Sequence, residues 1–282
     1  MKLSRALLLS LFVLIFSCSK SNDDIDLIEN TESETEVTPN EEVNEEEEEE
    51  EEEEPNKIGI AICDGEIQPT PEYIDTNVTP TDNKCDTFLE ENGLLIFEAE
   101  NTKSDFNKWI YETSIPNYRG TGYLRYKGPF TGSSPLVYKF KIQNAGIYRF
   151  MIRSSKPDGV ASDANNDCFI KMEGDFIAGE MHSCLKNADR NSTNTNALKK
   201  DTKFFGTGGD GEFKNAAGQL DLHNVKPWAT YNFKAGETYT LTITGRSSEF
   251  SMDRILIVDL NKYDYANYNK YAKNAVQNPC VE

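Results

Sequence analysis

Leu136-Val137-Tyr138-Lys139-Phe140-Lys141-Ile142, then Gln143-Asn144-Ala145-Gly146, then Ile147-Tyr148-Arg149-Phe150-Met151-Ile152-Arg153: this stretch decides the fold class. In its first part Leu136, Tyr138, Phe140 and Ile142 alternate with Val137, Lys139 and Lys141. In its last part Tyr148, Phe150 and Ile152 alternate with Arg149, Met151 and Arg153. Successive side chains of a strand point to opposite faces, so a period of two buries one face and leaves the other wet. Asn144-Ala145-Gly146 is a turn signal between the runs. Two half-buried strands joined by a tight connection are predicted.

The same pattern continues on either side. Tyr239, Leu241 and Ile243 alternate with Thr240, Thr242 and Thr244, and Ile255 and Ile257 sit within the apolar run Ile255 to Val258. Several short strands separated by Gly, Pro and Asn turns predict an all-β, two-sheet sandwich. Leu94 to Asp259 is about the usual size of one domain, so residues 93–260 are assigned to it. Residues 261–282 form a Tyr-rich tail, with Tyr263, Tyr265, Tyr268 and Tyr271, expected to pack back on the sandwich. Residues 57–92 are rich in Pro and Thr, contain Cys63 and Cys85, and are expected to be loosely structured.

The formal net charge of −19 is unevenly spread. Residues 19–56 hold nineteen Asp and Glu against one Lys, and Lys2 and Arg5 precede them, so residues 57–282 carry only −3. Nothing in a near-neutral domain points to a nucleic-acid partner, which would need a basic surface. The acidic stretch includes an unbroken run from Glu45 to Glu54 and has no aromatic residue. It cannot bury enough apolar surface to offset its ordering entropy, and its like charges extend it. Residues 18–56 therefore read as a disordered tether, reaching roughly 125 Å if fully stretched at about 3.3 Å per residue.

Residues 1–17 have the parts of a secretory signal: Lys2 and Arg5, an apolar run from Ala6 to Phe16 broken by Ser10, and a small Ser17. The run is too short to span a bilayer comfortably. Leu14-Ile15-Phe16-Ser17-Cys18 resembles the lipobox of bacterial lipoproteins, which implies that Cys18 carries the acyl chains that anchor the protein. Ser19-Lys20-Ser21-Asn22-Asp23-Asp24-Ile25-Asp26 is similar to the acidic export signal of Bacteroidetes lipoproteins. That resemblance implies the outer membrane, with the protein facing the cell exterior.

Five cysteines remain after Cys18, in a compartment that permits disulfides. Cys168 and Cys184 flank a loop and are expected to form a local bridge. Cys280 is left to pair with Cys85 or Cys63, and spacing alone does not choose. None is spaced like a zinc site. Gly206-Thr207-Gly208-Gly209-Asp210-Gly211 lacks the Lys-Ser/Thr ending of a phosphate loop and reads as a mobile turn. There is no nucleophile elbow, and no carboxylate pair stands out as a glycosidase pair.

Four words occur in order: Phe97-Glu98-Ala99-Glu100, Gly120-Thr121-Gly122-Tyr123-Leu124-Arg125-Tyr126, Gly146-Ile147-Tyr148-Arg149-Phe150 and Ser251-Met252-Asp253-Arg254-Ile255. Together they resemble carbohydrate-binding modules of the family 6 and family 35 type over Leu94 to Asp259. The resemblance implies a galactose-binding-like jelly roll that binds sugars without cleaving them. It also implies a structural calcium ion held by Glu98, Glu100 and Asp253. Calcium takes several oxygen ligands, and alternate residues of one strand aim two carboxylates the same way.

Sugars are held by aromatic rings against their apolar faces and by planar polar groups on their hydroxyls. Trp228, in Lys226-Pro227-Trp228, is the leading stacking candidate, and Tyr126 and Trp109 follow. Arg153, Asn166, Asp167 and Arg246 fall at strand ends or in loops and can bond hydroxyls; Glu249 is a further loop candidate. The arginine forks also suit a sulfate or carboxylate. The expected protein is a non-catalytic surface lipoprotein that captures polysaccharide or oligosaccharide for degradation or uptake, beside neighbouring glycan-degrading or uptake proteins. A polysaccharide hydrolase or lyase on the same fold, and a protein-binding adhesion or assembly module, are the alternatives, because jelly rolls host all three.

Overall fold

Alternation in the chain becomes two facing sheets in the computed structural model, which describes residues 84–179, 197–206, 208–222, 226–263, 271–273 and 275–281. The chain divides into two units, Met1–Glu51 and Glu52–Glu282, and every described residue belongs to the second. The expected signal peptide, Cys18, the tether, Cys63 and Cys184 lie outside the described residues, as do Tyr265 and Tyr268 of the tail. Among the described residues the strands are β1 (Thr87–Leu89), β2 (Leu94–Glu98), β3 (Trp109–Glu112), β4 (Tyr123–Tyr126), β5 (Ser133–Lys141), β6 (Gly146–Ser155), β7 (Asp167–Glu173) and β8 (Ile177–Ala178). They continue as β9 (Thr202–Phe205), β10 (Ala216–Ala217), β11 (Gln219–Leu220), β12 (Ala229–Phe233), β13 (Thr238–Gly245), β14 (Ser251–Asp259) and β15 (Cys280–Val281).

The first sheet runs β11-β9-β7-β13-β5-β1-β15. The second runs β3-β4-β14-β6-β12-β8, with β2 also beside β14 and β10 beside β6. Every pairing is antiparallel except β1 with β5. The protein is a two-sheet, all-β jelly-roll sandwich. In the first sheet the period of two holds: Leu136, Tyr138 and Phe140 of β5 are buried opposite Ile243, Leu241 and Tyr239 of β13. Their neighbours Val137, Lys139 and Lys141 are exposed. Aromatic rings fill the space between the sheets, with Phe233 and Tyr239 centred 4.3 Å apart and Phe88 stacked on Phe97 at 4.3 Å. Such contacts add about 0.5–1.5 kcal/mol per pair beyond burial.

The second sheet departs from alternation at its centre, where β6 and β14 are covered on both faces. All nine residues of β14 are buried. Ile255 and Ile257 enter the inter-sheet core, while Leu256 and Val258 join an outer cluster with Ile96, Met151, Trp228, Tyr263, Tyr271 and Ala272. The tail does pack back, with Tyr263 and Tyr271 edge-on at 5.4 Å.

The domain starts earlier and ends later than 93–260. Thr87-Phe88-Leu89, placed by composition in a loose segment, pairs with both β5 and β15. A strand of three residues is too short to show a period. Cys85 is bridged to Cys280, 195 residues away. Closing a loop of that length removes denatured-state entropy worth on the order of 5 kcal/mol in the chain-entropy account. The expected Cys168–Cys184 bridge does not form. Cys168 is a free thiol, fully buried in the inter-sheet core, because it is the second residue of β7 and not part of a loop.

At the end of β14 the Asp259 carboxyl is buried beside Gly146, where a Cβ would stand 2.9 Å from Oδ2. Burial, with a smaller contribution from the Glu90 carboxylate, pushes its pKa up to about 6 from the ordinary 3.8, against the Asn261 N–H that it accepts at 2.9 Å. The folded state thus holds this proton more tightly than the unfolded chain does. Its contribution is full below about pH 4 and is lost as pH rises through 6, on the order of 3 kcal/mol at most. Denaturant unfolding at pH 4.5–6.5 should show this decline, and Asp259→Asn, neutral throughout, should make it shallower by the part that Asp259 contributes.

Candidate ligand-binding site

The loops after β4, β6, β9 and β13 gather at one end of the sandwich. There the end of β6 (Ser154, Ser155), the start of the next loop (Lys156) and Asn166 face the glycine-rich segment after β9 across a cavity of about 510 Å³. Lys156 straps that segment down: its N–H donates to Gly209 O at 3.0 Å, and its carbonyl accepts from Gly211 N at 2.8 Å. The glycines allow the close approach. A Cβ on Gly208 would stand 2.2 Å from Ser154 O, and one on Gly206 2.5 Å from Ser154 Oγ. The segment expected to be a mobile turn is therefore one wall of the cavity; Thr207 lies outside the described residues.

Two polar atoms among the residues lining this cavity are buried without a partner: Ser154 Oγ, on a residue 1% exposed, and Asn166 Oδ1, on a residue 6% exposed. Asn166 is oriented by its amide Nδ2, which donates to Ser162 O at 3.2 Å. A buried polar atom left unpaired costs roughly 1–3 kcal/mol, so these two mark where a ligand group or water would bond.

A second hollow of about 350 Å³ adjoins it across the same loop, lined by Phe130, Asp163, Asn165, Asp167, Lys203 and Arg246 among others. Phe130 is 64% exposed, and the Arg246 guanidinium lies 3.8 Å from its ring centroid. Asp167 holds the floor, accepting from Arg246, from Ser247 Oγ at 2.5 Å and from Lys203 at 3.3 Å.

Of the residues singled out from sequence, Asn166, Asp167 and Arg246 meet at this end. The others do not join them. Trp228 is only 8% exposed and packs on the outer face of the second sheet, with the Arg149 guanidinium 3.7 Å from its ring centroid. Tyr126 and Trp109 are core, their rings 5.2 Å apart. The Tyr126 hydroxyl donates to Pro129 O at 3.0 Å, and Trp109 Nε1 to Ser134 O at 2.8 Å. Arg153 is buried against Asp253, Asn117 O and Phe213 O. Glu249 pairs with Lys127 at 2.6 Å and Arg125 at 3.6 Å. Phe130 was missed, although Pro129-Phe130-Thr131-Gly132 shows the same signal that singled out Trp228: an aromatic residue beside Pro in a turn.

Glu98, Glu100 and Asp253 lie near one another, but two of them already hold arginines. Both Glu98 oxygens accept from Arg254, and Asp253 accepts from Arg153 and, at 2.9 Å, from Arg119 N. A bulge in β14 between Met252 and Arg254 turns Asp253 toward Arg153. Glu100 accepts from Thr121 Oγ1 at 3.1 Å, and its Oε2 is buried without a partner. Burial, then the Glu98 carboxylate, raises the Glu100 pKa to about 8. Among the described residues no group of three or more His, Cys, Asp or Glu converges as metal ligands. Calcium needs six to eight oxygens, and the set as placed does not fit it: guanidinium groups stand where the cation was expected.

No family model matches the chain, and no curated protein matches it. Among solved structures it is similar to the GH26-CBM35 β-(1,4)-mannanase of Podospora anserina, with 14% identity and a TM-score of 0.36 over 60% of this chain; the match spans 28% of that enzyme. It is similar to the C-terminal CBM6 of LamC, a marine laminarinase from Zobellia galactanivorans, with 15% identity and a TM-score of 0.34 over 59% of this chain and 99% of that one. It is also similar to the CBM35 from Cellvibrio japonicus Abf62, with 11% identity and a TM-score of 0.32 over 58% of this chain and 93% of that one. Modules of both types named from sequence are thus among these structures.

Chelation separates arginine from calcium as the source of positive charge. EDTA is expected to leave the melting temperature unchanged. Arg254→Met, which leaves Glu98 buried and unpaired, should cost roughly 3–5 kcal/mol in denaturant unfolding. A melting temperature that rises on adding Ca²⁺ would show that the carboxylates regroup around a metal.

Proposed function

We propose that this chain binds glycan in the cleft at the loop end of the sandwich and does not cleave it. The carrying observation is the pair of unpartnered buried atoms, Ser154 Oγ and Asn166 Oδ1, beside the exposed ring of Phe130. A sugar presents hydroxyls on its rim and C–H groups on its faces, so it suits a site with polar atoms at the base and an aromatic ring at the mouth.

Binding is favoured over cleavage by the state of the carboxylates. Glycoside hydrolysis uses two, one kept protonated as the acid. In the cleft Asp167 is held by three donors and Asp210 by Lys156, which leaves Asp163, among the described residues, as a single unengaged carboxylate where the reaction needs two. The carboxyls with raised pKa values, Glu100, Asp253 and Asp259, line neither hollow. Calcium has no part in this reading, because Arg254 and Arg153 already engage Glu98 and Asp253.

The N-terminal sequence supplies the setting. Acyl chains on Cys18 would hold the protein on the outer membrane, facing outward, and the acidic stretch would project the sandwich. Capture there raises the glycan's local concentration near degrading and uptake proteins.

Affinity electrophoresis of the full chain against a polysaccharide panel tests this. Phe130→Ala should weaken binding about tenfold or more, as expected for a stacking ring, whereas Trp228→Ala should lower stability and spare binding. Absence of binding to any polysaccharide, or release of reducing ends, would refute the proposal. Cys18→Ala should move the protein from the membrane to the soluble fraction and abolish palmitate labelling in cells.

A further inference from the structure

The chemistry of the cleft also says which glycans enter it. Asn166 Oδ1 is an acceptor, and its identity is settled because Nδ2 of the same amide donates to Ser162 O. Within the cleft it lacks a donor. A sulfate or carboxylate brings only lone pairs, so it cannot satisfy this atom and is repelled by it; a hydroxyl can donate. Ser154 Oγ, the other unpartnered atom, both donates and accepts.

Charge agrees with this. Lys156 Nζ donates to Ala161 O at 2.9 Å and Val160 O at 3.3 Å and pairs with Asp210 at 3.2 Å, which uses its three donors. Lys214 pairs with Glu212 at 2.6 Å. In the adjoining hollow Asp167 meets both Arg246 and Lys203, and Lys203 also meets Asp221 at 3.0 Å. Each cation lining the cleft already has a carboxylate.

We infer that the cleft selects uncharged glycans, with one sugar hydroxyl donating to Asn166 Oδ1 and a second bonding Ser154 Oγ. This rests on the reading of the cleft as a glycan site. Asn166 thereby becomes a specificity-determining residue.

The test is calorimetric titration of the full chain with neutral polymers (mannan, xylan, β-1,3-glucan, dextran) and anionic ones (alginate, pectate, carrageenan), at low and high salt. A neutral polymer should bind with an affinity that salt changes by less than about twofold, since no uncompensated charge is involved. Asn166→Leu and Ser154→Ala, each checked for an unchanged fold by its melting curve, should weaken that binding about tenfold. Binding confined to anionic polymers and strongly weakened by salt would overturn the inference while leaving the glycan reading intact. Neutral binding untouched by both variants would overturn the assignment of the floor. No binding to any polymer would overturn both.

Discussion

The second sheet is apolar on both faces, and much of the architecture follows from the need to cover the outer one. Met151, Leu256, Val258 and Ile96 face away from the inter-sheet core. Left wet, four such side chains would each forgo roughly 1.5–3 kcal/mol of burial. The tail answers this with Tyr263, Tyr271 and Ala272, and Trp228 closes the far side. Asn278 then fastens the tail, accepting from Ile96 N at 2.6 Å and donating to Leu89 O at 3.1 Å and Leu94 O at 3.0 Å. Once the tail lies there, Cys280 is beside Cys85, and β15 completes the edge of the opposite sheet.

The same covered face explains the charged layer. Arg153, Arg254, Glu98 and Asp253 sit where the loop before β4 and the tail close over the sheet. Arg254 also donates to Ala275 O at 2.7 Å, so the tail's own backbone acts as acceptor. Buried charges are tolerated when they are paired, and both arginines are shared among a carboxylate and main-chain carbonyls, although Arg153 Nε is left without a partner. The layer thus specifies where the tail docks more than it adds stability.

Much of the fold could be read from the chain, because alternation is a direct image of a half-wet sheet; β5 and β13 show it plainly. The continuous run Ile255 to Val258 carried the opposite message, a strand buried on both faces, and with it the fate of Trp228. A loop tryptophan beside Pro looks like a sugar platform until the outer face that it covers is known. Phe130 carries an equivalent local signal and is 64% exposed, with the Arg246 guanidinium against its ring. Local sequence identifies aromatic residues near turns; which of them is covered depends on contacts between segments far apart in the chain. The site set divides in the same way. Asn166, Asp167 and Arg246 were legible as residues at strand ends, and Ser154 was hidden because it ends a strand that otherwise reads as core. The arginine partners of Glu98 and Asp253 were visible as residue types, but the bulge that aims Asp253 was not.

The Cys85–Cys280 bridge has a mechanical consequence. Were the protein held at Cys18 while it gripped a polymer, as proposed above, the load would reach the sandwich through the chain before β1. At Cys85 that load meets a covalent bond to the last strand. Peeling β1 away from β5 therefore requires dragging β15 along as well, so the force divides between the two ends of the domain. A strand of three residues, held by few hydrogen bonds, would be a weak point of attachment by itself; clasped to the terminus, it becomes a strain relief for the sandwich.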